Sequence, residues 1–306
     1  MNTIKIALDW TPNVNHIGLF VANELGFYGH ENFQVEILNP IEDNYNLTPG
    51  KKLELDLCDF SIAPFETVIS LNNKANVVDA IAVFAILQED LSSIITLKSS
   101  KLDSPKLLDG KIYASYKARY EDHIVQEMVK NDGGKGDIQV IYPDKLGIWN
   151  TVLAGKADAT WIFDNWEGIE ATSKNIELNR FSLADFGIPY GYSPVIFAKR
   201  SKVTSQKNDY LSFIQATKKG YLYAKNNIKE AVNILNMYLT DEDKKNIDIE
   251  KSLIATAPFF GDENTCGSMN PEKLQSFFKW LSDNQLESSI ILQQMLFTNE
   301  LCNRSN

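Results

Sequence analysis

The sequence predicts an α/β protein built as two halves, and three observations support this. Its 306 residues exceed one average domain. Strand-like runs alternate with helix-like periods over most of the chain. No low-complexity linker and no internal repeat separates the halves. We therefore expect lobe I over residues 1–90 and 192–306, lobe II over residues 91–191, and strands that cross between them.

The first half reads as a β-α-β-α-β series. TIKIAL is predicted as a strand, HIGLFVANEL as a helix that stops at Gly26, and FQVEIL as the next strand. SIAP then forms a short strand, FETVISLNNKA a helix and VVDAIAVFAI a strand. Strands that are joined through helices in this way usually pair in parallel, so we expect largely parallel sheets.

The second half repeats the rhythm before the pattern becomes helical. SSIITLKSS and KIYASY are strands, and EDHIVQEMVKNDGG is a helix that its glycines end. IQVIYP, GIWNTVLAGKA and DATWIF continue as strand, helix and strand. After the return segment IPYGYSPVIFAKR, the remaining periodic stretches are helical.

Composition excludes several classes of function. A net charge of -10 argues against a nucleic-acid partner, because phosphate-backbone binding needs a basic surface. No run reaches the roughly 18 apolar residues of a membrane-spanning helix. The N-terminus has no secretory leader, so we expect a cytoplasmic protein as written, or a periplasmic or extracellular one if a leader once preceded Met1.

The metal-binding residue types are few and dispersed. Three cysteines without paired spacing read as free thiols, namely Cys58, Cys266 and Cys302. Three histidines are too scattered in sequence to suggest a metal cluster, namely His16, His30 and His123. We expect no metal and no cofactor.

The first strand ends in a segment rich in residues that can contact a ligand: Trp10, Asn13, Asn15 and His16. Ligands of α/β proteins bind at the carboxyl ends of strands. A tryptophan can stack on a flat heterocycle, and asparagine offers a donor beside an acceptor. The alternative is structural, with an asparagine capping the helix, Trp10 in the core and His16 hydrogen-bonded at the start of the helix.

Two further strand ends carry candidate contacts. In SIAPFETV, Pro64 ends the strand and Glu66 falls in the first helical turn, where it would otherwise only complement the helix dipole. In SYKARYEDH, Tyr116 and Arg119 stand near a helix N-terminus. An anion there would relieve the conflict between the cation and the dipole, and the alternative is a solvated charge.

The densest cluster lies in DATWIFDNWEGIEA, with Trp161, Asp164, Trp166 and Glu167. Two aromatic rings beside two carboxylates suit an amine-bearing aromatic ligand. Alternatively, Asp164 caps a helix and the tryptophans pack between domains. Tyr190 stands on the return crossover, where a hinge would lie.

No catalytic signature accompanies these residues. The sequence contains no G-x-S-x-G, H-E-x-x-H, Walker or G-x-G-x-x-G motif. Aromatic rings and carboxylates at strand ends indicate a binding site for a small heterocyclic ligand.

Three stretches resemble one family. LDWTPNVNHIGLFVANELGFY, GKADA and NWEGIEA are similar to the bacterial substrate-binding proteins that take up thiamine pyrimidine precursors, and to the related fungal-type thiamine pyrimidine synthases. The resemblance implies a type II periplasmic-binding-protein fold, with two α/β lobes joined by two crossover strands and a central ligand cleft. It further implies that Trp10 and Asn13 line a pyrimidine pocket, and that Glu66 or Glu167 pairs with the aminopyrimidine edge.

Two departures separate this chain from the synthases. In an ungapped alignment, Ala63 and Thr67 stand where the synthases carry a lysine that holds pyridoxal phosphate and a histidine that is consumed. FGIPYGYSPV stands where they carry a cysteine-rich run. The resemblance therefore favours binding of an aminopyrimidine for uptake, with an ABC-transporter permease as partner, or for salvage. The alternatives are an enzyme of thiamine pyrimidine formation or processing, and a cleft adapted to a flavin or a sulfonate.

Overall fold

The computed structural model of the chain describes residues 2–29, 33–144 and 147–302. Within these residues, the strands are β1 (Asn2–Ala7), β2 (Phe33–Leu38), β3 (Phe60–Ala63), β4 (Ala80–Ala85), β5 (Ser92–Leu97), β6 (Ile112–Ala114), β7 (Gln139–Ile141), β8 (Ala159–Phe163), β9 (Leu178–Ser182) and β10 (Val195–Lys199). They form two five-stranded sheets, in the orders β2-β1-β3-β10-β4 and β7-β6-β8-β5-β9.

Both sheets are mixed, which corrects the expectation of largely parallel sheets. In the first sheet, β1 pairs in parallel with β2 and β3, whereas β10 is antiparallel to β3 and β4. In the second sheet, β6 pairs in parallel with β7 and β8, whereas β5 is antiparallel to β8 and β9. The antiparallel strands β5 and β10 are those that enter each sheet from the other, so no helical crossover sets their direction.

The chain passes between the sheets twice, between Ala85 and Ser92 and between Ser182 and Val195. The lobe boundaries expected near residues 90 and 192 fall in these passages, and the division into lobes I and II stays a prediction.

The helices follow the predicted order. They are α1 (Ile17–Glu24), α2 (Pro49–Glu54), α3 (Glu66–Asn72), α4 (Glu121–Asn131), α5 (Ile148–Leu153), α6 (Glu167–Ser173), α7 (Arg200–Ser205), α8 (Lys207–Asn226), α9 (Ile228–Leu235), α10 (Asp241–Asn246), α11 (Ile249–Thr256), α12 (Pro271–Asp283) and α13 (Ser289–Leu292). Short 3-10 turns connect several of them. The helices α3, α4 and α6 each follow a strand and begin at or beside a candidate site residue.

Helices α1 and α8 pack closely because glycines remove side chains at their contact. A Cβ atom on Gly220 would stand 2.0 Å from the Gly18 carbonyl oxygen, and one on Gly18 would stand 2.3 Å from the Tyr221 ring. Tyr221 is fully buried, and its hydroxyl donates to the Asn15 carbonyl at 2.6 Å. The contact therefore holds the segment that precedes α1 in place.

Replacing Gly220 by alanine is expected to destabilise the protein by roughly 1–3 kcal/mol or more, because the added methyl group must push backbone atoms apart. Urea unfolding monitored by circular dichroism measures the loss. Gly147→Ala is the matched control, since nothing lies within 4 Å of the added atom there. Equal unfolding midpoints for the two variants would contradict the close contact.

Candidate ligand-binding cleft

Trp10 follows β1 and contacts two tyrosine rings, one from each half of the chain. Its ring centroid lies 5.5 Å from that of Tyr45 and 6.4 Å from that of Tyr116, in edge-to-face geometry. Tyr116 follows β6, so the second contact crosses between the sheets. Trp10 remains partly exposed, and an aromatic face in such a position can stack on a flat heterocycle. The structure thus brings together two of the predicted site residues.

Asn13 and His16 form hydrogen bonds within the turn that precedes α1. Asn13 Oδ1 accepts from the Asn15 amide at 2.9 Å, and His16 Nδ1 accepts from the Asn13 amide at 3.3 Å, which forms a capping box. His16 Nε2 lies 2.8 Å from Asp9 Oδ1 and therefore donates the proton in this tautomer. Both side chains are used inside the protein, which agrees with the structural alternative for this segment.

Asn15 and Trp166 belong to a buried junction between the halves. Asn165 Nδ2, in the turn after β8, donates to Asn15 Oδ1 and to Thr256 Oγ1, each at 2.9 Å. Trp166 is buried in the apolar core that also contains β1 and α1. Trp166 therefore fits the structural alternative, in which a tryptophan packs between domains.

Trp161 and Tyr190 form an aromatic wall. Trp161 on β8 is buried, and its ring centroid lies 5.4 Å from that of Tyr190. Tyr190 in turn lies 5.5 Å from Phe277 of α12. The Tyr190 hydroxyl is 3.4 Å from Glu66 Oε2, so this wall reaches the first helical turn of α3.

Glu66 is a buried carboxyl that receives donors from the second half. Its Oε1 accepts from the Arg119 amide at 3.2 Å, and its Oε2 accepts from the Tyr190 hydroxyl. Burial, assisted by the nearby Glu121 carboxylate, raises the pKa of Glu66 to about 7. Glu66 can therefore hold or release a proton near neutral pH.

Glu167 is the second carboxyl with a raised pKa. It begins α6, and its Oε2 accepts from the Phe163 amide at 3.0 Å. Burial raises its pKa to about 7, with smaller contributions from Glu170 and Asp243. Its charge acts on Tyr116, whose pKa is raised well above the ordinary value by burial first and Glu167 next. Glu167 is therefore near enough to Tyr116 for its charge to act on that hydroxyl.

The guanidinium group of Arg119 is already paired. It forms an ion pair with the buried Glu287, and its Nε lies 2.6 Å from Glu287 Oε1. The expectation of an external anion at this cation is therefore corrected, because a carboxylate of the protein takes that place. Arg119 reaches Glu66 through its backbone amide.

Asp164 and Pro64 have other surroundings. Asp164 Oδ2 accepts from Ser93 Oγ at 2.6 Å, and its Oδ1 lies 3.4 Å from Arg180 Nε. Its side chain does not cap α6, which has no side-chain cap. Pro64 is partly exposed between β3 and α3, and its carbonyl accepts from the Thr67 amide at 2.9 Å.

The sequence did not indicate three residues of this region, namely Tyr45, Glu121 and Glu287. Tyr45 follows a left-handed Asn44 and is itself left-handed, a pattern that predicts a turn and says nothing of a contact with Trp10. Glu121 was visible only as part of a predicted helix start. Glu287 lies 168 residues from Arg119, and no local pattern could relate the two.

The described residues contain no group of three or more metal-ligating side chains, and His30 lies outside them. None of the helices in the described ranges is long and apolar enough to cross a membrane.

The family model described as NMT1/THI5 like matches residues 13–231. The chain belongs to the NMT1/THI5-like family. This confirms the family that the sequence motifs indicated.

Relatives and a solved structure agree with this family and with the fold. The formylaminopyrimidine-binding protein of Halalkalibacterium halodurans is 25% identical over 305 residues, which cover 96% of this chain and 89% of the relative. The 4-amino-5-hydroxymethyl-2-methylpyrimidine phosphate synthase of Legionella pneumophila is 22% identical over 235 residues, covering 76% and 72%. The periplasmic aliphatic sulphonate binding protein of Escherichia coli superposes with a TM-score of 0.68 at 13% identity, covering 99% of this chain and 100% of that one. The predicted periplasmic-binding-protein fold is confirmed.

Proposed function

We propose that this NMT1/THI5-like protein binds a small aminopyrimidine precursor of thiamine in the cleft between its two sheets. One observation carries the proposal: the partly exposed ring of Trp10 meets Tyr116 of the other sheet at 6.4 Å, and the Glu167 carboxyl, with a pKa of about 7, is near enough for its charge to act on Tyr116. An aminopyrimidine has flat faces for stacking and an edge that alternates donors and acceptors. A carboxyl group can pair with that edge while the rings cover a face.

The raised pKa suits this pairing. A carboxyl group bonds the amino group through one oxygen and shares a proton with the ring nitrogen through the other, so the pair contains one proton. An ordinary glutamate is ionised at neutral pH and would have to take up that proton at a cost. A glutamate with a pKa near 7 holds it at little cost.

The relative from Halalkalibacterium halodurans supports this ligand class, because it is named a formylaminopyrimidine-binding protein and matches nearly the whole chain. The synthase alternative has less support. Ala63 is a buried methyl group on β3 and Thr67 is a hydroxyl in α3, so neither position offers an amine or an imidazole.

Calorimetric titration tests the proposal. Formylaminopyrimidine and 4-amino-5-hydroxymethyl-2-methylpyrimidine are titrated separately into the protein, and saturable binding of at least one is expected. An aliphatic sulfonate is the control ligand and should not bind. Binding of the sulfonate alone, or of neither pyrimidine, would refute the proposed ligand class.

The affinity should also depend on pH. Above the carboxyl pKa of about 7 the shared proton is lost, so the dissociation constant should rise by up to about tenfold per pH unit. Titrations at pH 6, 7, 8 and 9 measure this slope. An affinity that is constant over this range would show that no proton is shared.

Uptake and intracellular salvage would use the same cleft and differ in where the protein works. For uptake, we propose a transporter permease as partner and a location outside the cytoplasm. Fractionation of the native cells, followed by immunodetection, separates the two roles.

A further inference from the structure

The loop at residues 115–120, between β6 and α4, carries two contacts of the cleft. Tyr116 places its ring against Trp10, and the Arg119 amide donates to Glu66 Oε1 at 3.2 Å. Trp10 and Glu66 belong to the first sheet and its helices, whereas the loop follows a strand of the second sheet. The position of this loop relative to the first half therefore determines both contacts.

Glu121 holds the loop to its own helix. Its carboxylate accepts from the Tyr116 amide at 3.0 Å and from the Ala118 amide at 3.1 Å. It also accepts from the Tyr113 hydroxyl at 2.8 Å. These partners all lie in the second half. Glu121 therefore fixes the conformation of the loop, but these bonds do not attach the loop to the first half.

Glu287 holds the same loop from the other side. It lies between α12 and α13, and its side chain is 1% exposed. Its Oε1 pairs with the Arg119 guanidinium and accepts a hydrogen bond from the Tyr120 hydroxyl, the latter at 2.8 Å. Its Oε2 accepts from Asn73 Nδ2, at the end of α3, at 3.1 Å. A single carboxylate thus connects the loop to the helix that begins with Glu66.

We propose that Glu287 is a positioning residue for the ligand cleft, which acts through Arg119 and Tyr120 to set the loop 115–120 against Trp10 and Glu66. The proposal rests on the proposed function for its effect on ligand binding. Its structural part, the placing of the Arg119 amide on Glu66, can be measured in the protein without ligand.

A buried ion pair with additional hydrogen bonds restricts the positions that its two side chains can take. Arg119 cannot move far while its guanidinium remains with Glu287, because a separated charge at a buried carboxylate is costly. The amide and the side chain of Arg119 are fixed to the same backbone, so holding one holds the other. Loss of the Glu287 charge should release the amide from Glu66.

The titration of Glu66 reports this release. The groups that face Glu66 are Glu121, Tyr190 and Arg119, and the Arg119 amide favours the ionised form. In E287Q, the pKa of Glu66 should rise above its value of about 7, because the amide bond that favours the ionised form is lost. Carbon-13 NMR of the side-chain carboxyl measures it, with the resonance assigned by its absence in E66Q.

Affinity for 4-amino-5-hydroxymethyl-2-methylpyrimidine is measured in parallel, and E287Q should bind roughly tenfold more weakly. Y120F removes one donor to Glu287 and keeps its charge, so it should shift both readouts less and in the same direction. D283N is the control, because Asp283 makes an exposed ion pair with Lys279 at the end of α12 and should change neither.

The outcomes separate the two proposals. A raised Glu66 pKa in E287Q supports the positioning role even if the wild-type protein binds no pyrimidine, in which case only the proposed function fails. An unchanged Glu66 pKa in a folded E287Q overturns the inference, even if pyrimidine binding is intact. If E287Q does not fold, the Y120F titration decides in the same way.

Discussion

Replacing Glu167 by glutamine is expected to weaken aminopyrimidine binding by about 10- to 150-fold, the range that corresponds to one hydrogen bond to a charged group. The direction follows from the local geometry. The Phe163 amide donates to Glu167 Oε2 at 3.0 Å, so the single oxygen of a glutamine will be drawn to that amide. In the proposed complex Oε1 accepts from the amino group of the ligand, so the NH₂ group of the glutamine would stand where an acceptor is needed.

The control is an exposed ion pair on β2, where Glu36 pairs with Lys5 at 2.8 Å. Glu36→Gln should leave the affinity within about twofold, as expected for an exposed pair. Calorimetric titration of both variants at pH 7 gives the comparison. Equal losses in the two variants would indicate a general electrostatic effect and would contradict a direct bond from Glu167.

Much of the fold was predictable because its signals are local. The period of apolar residues separated strands from helices, and Gly26 marked the end of α1 with a positive φ of 71°. The mixed sheets were not predicted, since the direction of β5 and β10 depends on where the chain crosses between sheets. That is a tertiary property which the alternation of elements does not reveal.

In the candidate site, too, the residues were visible in the sequence, whereas their surroundings depend on the fold. Glu66 was predicted as a first-turn carboxyl and Glu167 as part of a cluster of aromatic rings and carboxylates, but the burial that raises their pKa values comes from the folded chain. Asn15 and His16 look like ligand contacts in sequence and are used internally in the structure. The partner of Asn15 is 150 residues away, so only the folded chain could separate the two uses.

Replacing Glu66 by glutamine is expected to stabilise the ligand-free protein at neutral and alkaline pH. The folded-state pKa of Glu66 is about 7 against an ordinary value of 4.5, so the folded chain retains a proton that the unfolded chain releases. Stability from this group is present below pH 4.5 and is lost as the pH rises to about 7, by on the order of 3 kcal/mol. A glutamine does not titrate and avoids this loss.

The internal hydrogen bonds should survive this change. The glutamine oxygen can accept from the Arg119 amide, and its NH₂ can donate to the Tyr190 hydroxyl, which replaces the two bonds of Glu66. Urea unfolding at pH 5 and pH 8 should therefore show nearly equal stabilities at pH 5 and a more stable variant at pH 8. Glu36→Gln is the control, since Glu36 forms an exposed ion pair with Lys5 and should show no such gain. A Glu66→Gln difference that is the same at both pH values would mean that Glu66 titrates normally, whereas the expected gain would mean that the folded protein gives up stability to keep a protonatable carboxyl in the cleft.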